Sequence, residues 1–122
     1  MYRVLIAEDE LRIVAFLEKG LRQNGFETTV VTRGQDAIDQ SQQGTFDLLL
    51  LDLGLPGKDG WTVIDELRKS GQTLPIVIVT AREGETNRAE SLRRGANDYI
   101  TKPFRFQELL AKVNFQLGQE KT

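Results

Sequence analysis

The sequence predicts an α/β domain built on a five-stranded parallel sheet with helices on both faces. Three observations point there. Val4-Leu5-Ile6-Ala7, Leu48-Leu49-Leu50-Leu51 and Ile76-Val77-Ile78-Val79 are short unbroken apolar runs, which suit strands covered on both sides, the pattern of a parallel sheet. Two more polar segments, Phe26 to Val31 and Asp98 to Thr101, read as edge strands. Helical periodicity follows each strand, so the order is β-α repeated, and right-handed crossovers then place helices on both faces. With the three most apolar strands central, the strand order is 2-1-3-4-5. This is the flavodoxin-like arrangement, whose sites lie beyond the carboxyl ends of the strands.

Each helix has its own signal. Ile13, Val14, Leu17 and Leu21 recur at helical spacing, and Asn24-Gly25 stops them. Ala37, Ile38 and Ser41 mark a second, weaker helix. The run at Leu48 would suit a helix by itself, but its short bounded length and its place in the alternation make it a strand. Val63, Ile64 and Leu67 lie on a third helix, capped by Asp59 and terminated by Gly71. The fourth, Glu85 to Arg94, offers only Ala89 and Leu92 to a core. Phe106, Leu109, Leu110, Val113 and Leu117 form the clearest stripe of all. Phe115 lies off that stripe, and Trp61 is placed to pack at the start of the third helix.

Composition narrows the chemistry. A chain of 122 residues is one domain's worth, able to bury roughly two thirds of its unfolded surface. Residues 1–118 are read as that domain, and 119–122 as a tail or the start of a linker. The absence of Cys and His excludes disulfides, thiolate or imidazole metal sites, Ser-His triads and a phosphohistidine relay. Any metal must then be an oxygen-ligand ion such as Mg²⁺, Mn²⁺ or Ca²⁺. A net charge of −2 argues against a dominant nucleic-acid surface. Arg82, Arg88, Arg93 and Arg94 read as helix-face charges balanced by Glu83, Glu85 and Glu90. No apolar run approaches the roughly 20 residues of a membrane span, and the opening residues do not read as a signal peptide. The expectation is a soluble cytoplasmic domain without membrane contact.

Along the carboxyl rim of such a sheet fall Glu8 and Asp9, then Asp52, then Thr80, then Lys102. Carboxylates converging in one cleft repel: two unit charges about 4 Å apart cost about 4 kcal/mol at an effective dielectric of about 20. A divalent cation relieves this, or raised pKa values do, and an open oxygen-only site favours Mg²⁺. A carboxylate beside Mg²⁺ and a Lys is placed to attack a phosphoryl group, since that transfer is mostly charge neutralisation and positioning. Taken singly, each feature has an ordinary structural reading. Glu8-Asp9-Glu10 would be an acidic turn opening a helix, the loop after Asp52 a plain turn, Thr80 a β-branched strand end, Lys102 a surface charge, and Tyr99 an aromatic covering core.

Together, Glu8-Asp9, Asp52 with Pro56 and Asp59-Gly60, Thr80-Ala81 and Lys102-Pro103 resemble the receiver domain of two-component response regulators over essentially the whole chain. The resemblance implies that Asp52 accepts a phosphoryl group from a partner histidine kinase or a small phosphodonor. It implies Asp9 as principal Mg²⁺ ligand with Glu8 assisting, Asp52 sharing the ion and the Gly54 carbonyl completing the set. Thr80 and Tyr99 match the family's switch pair, Lys102 its phosphate-binding Lys, and a cis bond is implied before Pro103. The lifetime-setting positions, two past the acceptor and two past the switch Thr, are Gly54 and Arg82. Gly54 has no side chain to position water, which implies a long-lived phosphoryl group.

Gly95 to Phe104, with Glu108-Leu109, is similar to the winged-helix DNA-binding (OmpR/PhoB-type) subfamily. There, activated receivers form homodimers through the α4-β5-α5 face, where Arg88 with Glu108 and Asp98 with Lys112 fall at matching positions. Asn97 stands where that subfamily usually has Asp, and Lys112 where it has Arg, whose bidentate fork Lys does not reproduce. DNA would be reached only through an output domain absent from this chain. The chain is expected to catalyse its own phosphorylation and slow dephosphorylation, not turnover. Other readings are a stand-alone receiver serving as adaptor or phosphorelay intermediate, a flavin or nucleotide site, and an aspartyl phosphohydrolase. Acidic Glu8-Asp9-Glu10 disfavours the nucleotide site, and Gly54 replaces the second Asp that a phosphohydrolase carries.

Overall fold

A computed structural model describes residues 1–81 and 84–118. Strands β1 (Arg3–Ala7), β2 (Glu27–Val31), β3 (Leu48–Leu51), β4 (Ile76–Thr80) and β5 (Asp98–Thr101) alternate with helices α1 (Leu11–Gln23), α2 (Gly34–Gln42), α3 (Gly60–Lys69), α4 (Glu85–Arg94) and α5 (Phe106–Gln116). The strands form one parallel sheet in the order β2-β1-β3-β4-β5, as the apolar ranking of the runs requires. Arg82, Glu83 and residues 119–122 lie outside the described residues.

Side chains on a strand alternate between faces, and here the alternation divides the core in two. Leu5, Leu49, Leu51, Ile76, Ile78 and Tyr99 face α2 and α3, packing on Ala37, Val63, Ile64 and Leu67. Val4, Ile6, Leu48, Leu50, Val77, Val79 and Ile100 face α1 and α5, packing on Leu17, Leu21, Leu109, Leu110 and Val113. β1, β3 and β4 are buried on both sides apart from Arg3, whereas β2 has no buried residue. Polar β2 is therefore tolerated because it needs only one neighbour, β1.

Local chemistry fixes the helix starts. Asp59 Oδ1 accepts hydrogen bonds from the Thr62 N–H and Oγ1, each at 3.0 Å, so α3 begins on a true side-chain cap. Trp61 is half-buried against the α2–α3 side of the core. Along α5, Leu109, Leu110 and Val113 are buried and Leu117 falls on the C-cap, while Phe115 is 60% exposed.

The fourth helix differs from its expected contacts. Ala89 is exposed and Leu92 half-buried, while Ser91 is the fully buried residue. Its hydroxyl is satisfied internally, donating to the Arg88 carbonyl at 2.9 Å, which removes the cost of burying it. Polar contacts fasten α4 to α3 instead. The Arg94 guanidinium lies 4.8 Å from the Trp61 ring centroid and 3.2 Å from Asp65 Oδ2. Glu90 holds both Arg93 and Arg94, whose hydrogen bonds draw its carboxyl down to about 2.

Gly60 ties the fold to the acidic rim. A Cβ there would meet the Leu53 Cα at 2.6 Å and the Asp52 carbonyl oxygen at 2.8 Å, both backbone atoms that cannot turn aside. Gly60→Ala is predicted to destabilise the protein by about 1–3 kcal/mol, read as a lower urea midpoint with an unchanged slope. An unchanged midpoint would show that the loop after β3 yields freely.

Candidate functional site

The sheet ladder runs one residue past the strands and delivers the functional groups. The Glu8 N–H donates to the Val31 carbonyl at 3.0 Å, the Asp52 N–H to that of Ala7 at 3.1 Å, and the Lys102 N–H to that of Thr80 at 2.8 Å. Residues from positions 8, 52, 80 and 102 thus leave the same edge of the sheet in fixed register. The Lys102–Pro103 peptide bond is cis.

The side chains then converge. Lys102 Nζ lies 2.6 Å from Glu8 Oε1, 3.0 Å from Glu10 Oε1 and 3.7 Å from Asp52 Oδ2. Glu8 and Asp52 are buried, and the Lys102 side chain is only 9% exposed. One carboxylate oxygen from each of Glu8, Glu10 and Asp52 falls within 4.8 Å of the others. Burial pushes the Glu8 carboxyl up, against the Lys102 hydrogen bond and the Glu10 N–H that pull it down. Burial would also pull the Lys102 ammonium down, but Glu8, Glu10 and Asp52 outweigh it and hold the ammonium above its ordinary value.

Asp9 is not one of the three carboxylates in this group. It is exposed, and the three carboxylates that meet are those of Glu8, Glu10 and Asp52. The local reason is that Glu8 Oε2 accepts the N–H groups of both Asp9 and Glu10 at 3.1 Å, folding the Glu8 side chain inward. The sequence reading gives the metal to Glu8 and Asp9 and gives Glu10 no role, and nothing in the three letters marks Glu10 as the one that joins Glu8 and Asp52.

Asp52 Oδ1 accepts the Gly54 N–H at 3.2 Å. Gly54 is exposed, and a Cβ there would sit 3.8 Å from Asp52 Oδ2 and 3.9 Å from Oδ1, so the space beside the Asp52 carboxylate is open. Thr80 is buried at the end of β4, and Tyr99 is buried on the α2–α3 side of the sheet. Away from the rim, Lys112 Nζ pairs with Asp98 Oδ1 at 3.2 Å within the one chain. Arg88 and Glu108 are both exposed. Asn97 Oδ1 accepts from the Ile76 N–H at 2.9 Å and from Arg68 at 3.1 Å.

A hard divalent cation fits this donor set. The converging atoms are all carboxylate oxygens, and the chain has no His or Cys. Such a set selects Mg²⁺ or its oxygen-seeking relatives.

Comparison with known proteins gives a consistent picture. The family model for the response regulator receiver domain matches residues 4–114. The transcriptional regulatory protein PcoR of Escherichia coli is 37% identical over the full 122 residues, which span 54% of PcoR. The chain therefore covers about half the length of that relative. Among solved structures, the Francisella response regulator 1452 receiver domain superposes with a TM-score of 0.92 at 32% identity, covering 99% of this chain and all of that one. The receiver domain of sensor histidine kinase PA1611 from Pseudomonas aeruginosa, solved with a magnesium ion coordinated in its active-site cleft, matches at 0.87 and 31% identity, covering 96% of this chain and 98% of that one.

Replacing Lys102 isolates the charge balance. Lys102→Met leaves carboxylates facing one another in a largely buried cleft and is predicted to cost about 3 kcal/mol in metal-free buffer. Mg²⁺ should then raise the melting temperature of the variant more than that of wild type, because ligand binding stabilises by mass action. An equal Mg²⁺ response in both proteins would contradict the charge-balance account.

Proposed function

Because the chain belongs to the response regulator receiver domain family, we propose that it is a phospho-accepting signalling switch whose acceptor is Asp52. The observation that carries this reading is the buried Asp52 carboxylate held 3.7 Å from the Lys102 ammonium beside two further carboxylates. A carboxylate in that setting has a cation at hand for the incoming phosphoryl oxygens and an acidic group able to recruit a divalent ion.

The reaction balances without another reagent. An Asp52 oxygen forms a bond to phosphorus as the donor's P–N or P–O bond breaks, and the donor leaves with the electron pair. Donors are the phosphohistidine of a sensor kinase or a small acyl phosphate. Glu8 and Asp52, with Asp9 and the Gly54 carbonyl as the family pattern has them, would hold Mg²⁺, which supplies charge neutralisation for the phosphoryl oxygens. Lys102 takes up a phosphoryl oxygen, and the Thr80 hydroxyl donates to another. Only the product places that charge next to Thr80.

The readout is the α4-β5-α5 face. Thr80 lies at the end of β4, and Tyr99 on neighbouring β5 is buried against the core on the side of α3. A shift of Thr80 toward the phosphoryl group frees space that Tyr99 follows, and α4, fastened mainly by polar contacts, moves at low cost. Two activated copies then pair through this face, with exposed Arg88 meeting Glu108 of the other copy. The Asp98–Lys112 pair, closed within the chain at rest, re-pairs across the interface or supports it. PcoR is a transcriptional regulatory protein, and transcription is the output we assign here, through a DNA-binding part outside this chain. No helix among the described residues is long and apolar enough to cross a membrane, which accords with a cytoplasmic switch.

Incubation with acetyl phosphate and Mg²⁺ is predicted to add one phosphoryl group to the intact mass of wild type and none to Asp52→Ala, with a larger solution species only in the former. Addition to the variant would sink the assignment. The open space beside Gly54 offers no side chain to orient water, so the isolated phosphoprotein should lose its label slowly. Gly54→Asn, which places an amide there, should shorten the half-life measured by mass spectrometry, and rapid loss from wild type would contradict this.

A further inference from the structure

Glu10 lies in the acidic cluster but takes no part in the transfer step above, and it makes one of the three carboxylate contacts to Lys102. It is also the N-cap residue of α1. Its side chain makes no capping hydrogen bond. Its backbone N–H donates to Glu8 Oε2, and its side chain reaches across to the strand β5 exit, 92 residues away in sequence, where Oε1 lies 3.0 Å from Lys102 Nζ. Its carboxylate is therefore held by a long-range ion pair and not by the first turn of its own helix.

The distances give that pair a direction. Lys102 Nζ is closer to Glu8 and Glu10 than to Asp52. Glu8 is buried and belongs to the acidic set that would hold the ion, whereas the Glu10 side chain is 58% exposed on the outer lip of the cleft. A phosphoryl oxygen on Asp52 would take a hydrogen bond from the same ammonium, which already lies 3.7 Å from Asp52 Oδ2. Glu10 thus competes with the phosphoryl group for the same cation.

We propose that Glu10 is a positioning residue that tethers Lys102 at the lip of the cleft and so restrains phosphorylation of the resting protein. This rests on the assignment of Asp52 as phosphoacceptor. A half-exposed ion pair of this kind is screened by solvent, so the restraint is modest. It sets how readily a small phosphodonor, lacking any binding energy from a partner surface, charges the protein.

The test measures initial rates of Asp52 phosphorylation in saturating Mg²⁺ over a range of acetyl phosphate concentrations, for wild type, Glu10→Gln and Glu10→Asp. Glu10→Gln should raise the maximal rate about two- to fivefold, the scale of a partly exposed ion pair, with the half-saturating donor concentration within about twofold of wild type. Glu10→Asp keeps a carboxylate and should stay near the wild-type rate. An unchanged or lower maximal rate in Glu10→Gln overturns the tether. So does a change confined to half-saturation, which would mark simple repulsion of the anionic donor, or an equal rise in Glu10→Asp, which would mark side-chain size. Failure of wild type itself to take up phosphate overturns the phosphoacceptor reading, and the tether with it.

Discussion

Mutual repulsion among carboxylates at one edge of a parallel sheet is the constraint around which this protein is arranged. Glu8, Glu10 and Asp52 come together within 4.8 Å, and two of them are buried. Desolvation disfavours their charged forms, and an isolated buried carboxylate is among the most expensive groups a fold can hold. One ammonium, that of Lys102, answers all three. A single cation shared among three anions leaves net negative charge in the cleft, and that excess is what a divalent ion is drawn to. The same excess makes the site responsive, because any added phosphoryl group must share Lys102, the cation that faces these carboxylates among the described residues.

The sheet supplies the rigidity this arrangement needs. Four backbone hydrogen-bonded neighbours in register bring positions 8, 52, 80 and 102 to one rim, and a one-residue slip in any strand would turn its functional group to the wrong face. The central strands are buried on both sides, which fixes that register by the cost of exposing leucine and isoleucine. Gly60 lets α3 approach the loop after β3 closely enough to seat Asp52. By contrast α4, the element expected to move, buries a serine and relies on Arg94 against Trp61 and Asp65. The two are held by different materials: apolar packing for the strands that carry Asp52, surface polar contacts for α4.

Most of the fold was legible because it is written in short-range patterns. The unbroken runs at Val4, Leu48 and Ile76 gave the central strands, and their alternation with helical stripes gave the topology. Asp59 announced a cap and the structure has it. The misreadings came where periodicity was weak. On α4 the expected core contact Ala89 is exposed while Ser91 is buried, since a serine satisfied by its own helix backbone can occupy a buried position that composition alone would not grant it. At the site, the convergence of Glu8, Asp52 and Lys102 followed from topology. The division of labour within Glu8-Asp9-Glu10 did not. It depends on Glu8 curling back onto the N–H groups of the next two residues, a local turn that the three letters do not reveal. The Asp98–Lys112 pair likewise closes within the chain, a choice between internal and external partners that sequence cannot make.

Amide NMR during a Mg²⁺ titration tests most directly whether these separated acidic groups form one cation site. The account predicts that resonances of Glu8 to Glu10, Asp52 to Gly54, Thr80 and Lys102 move together along a single saturable curve, with other acidic residues such as Asp65 and Glu90 unaffected. Shifts scattered over surface carboxylates without saturation, or an unmoved Asp52, would contradict it.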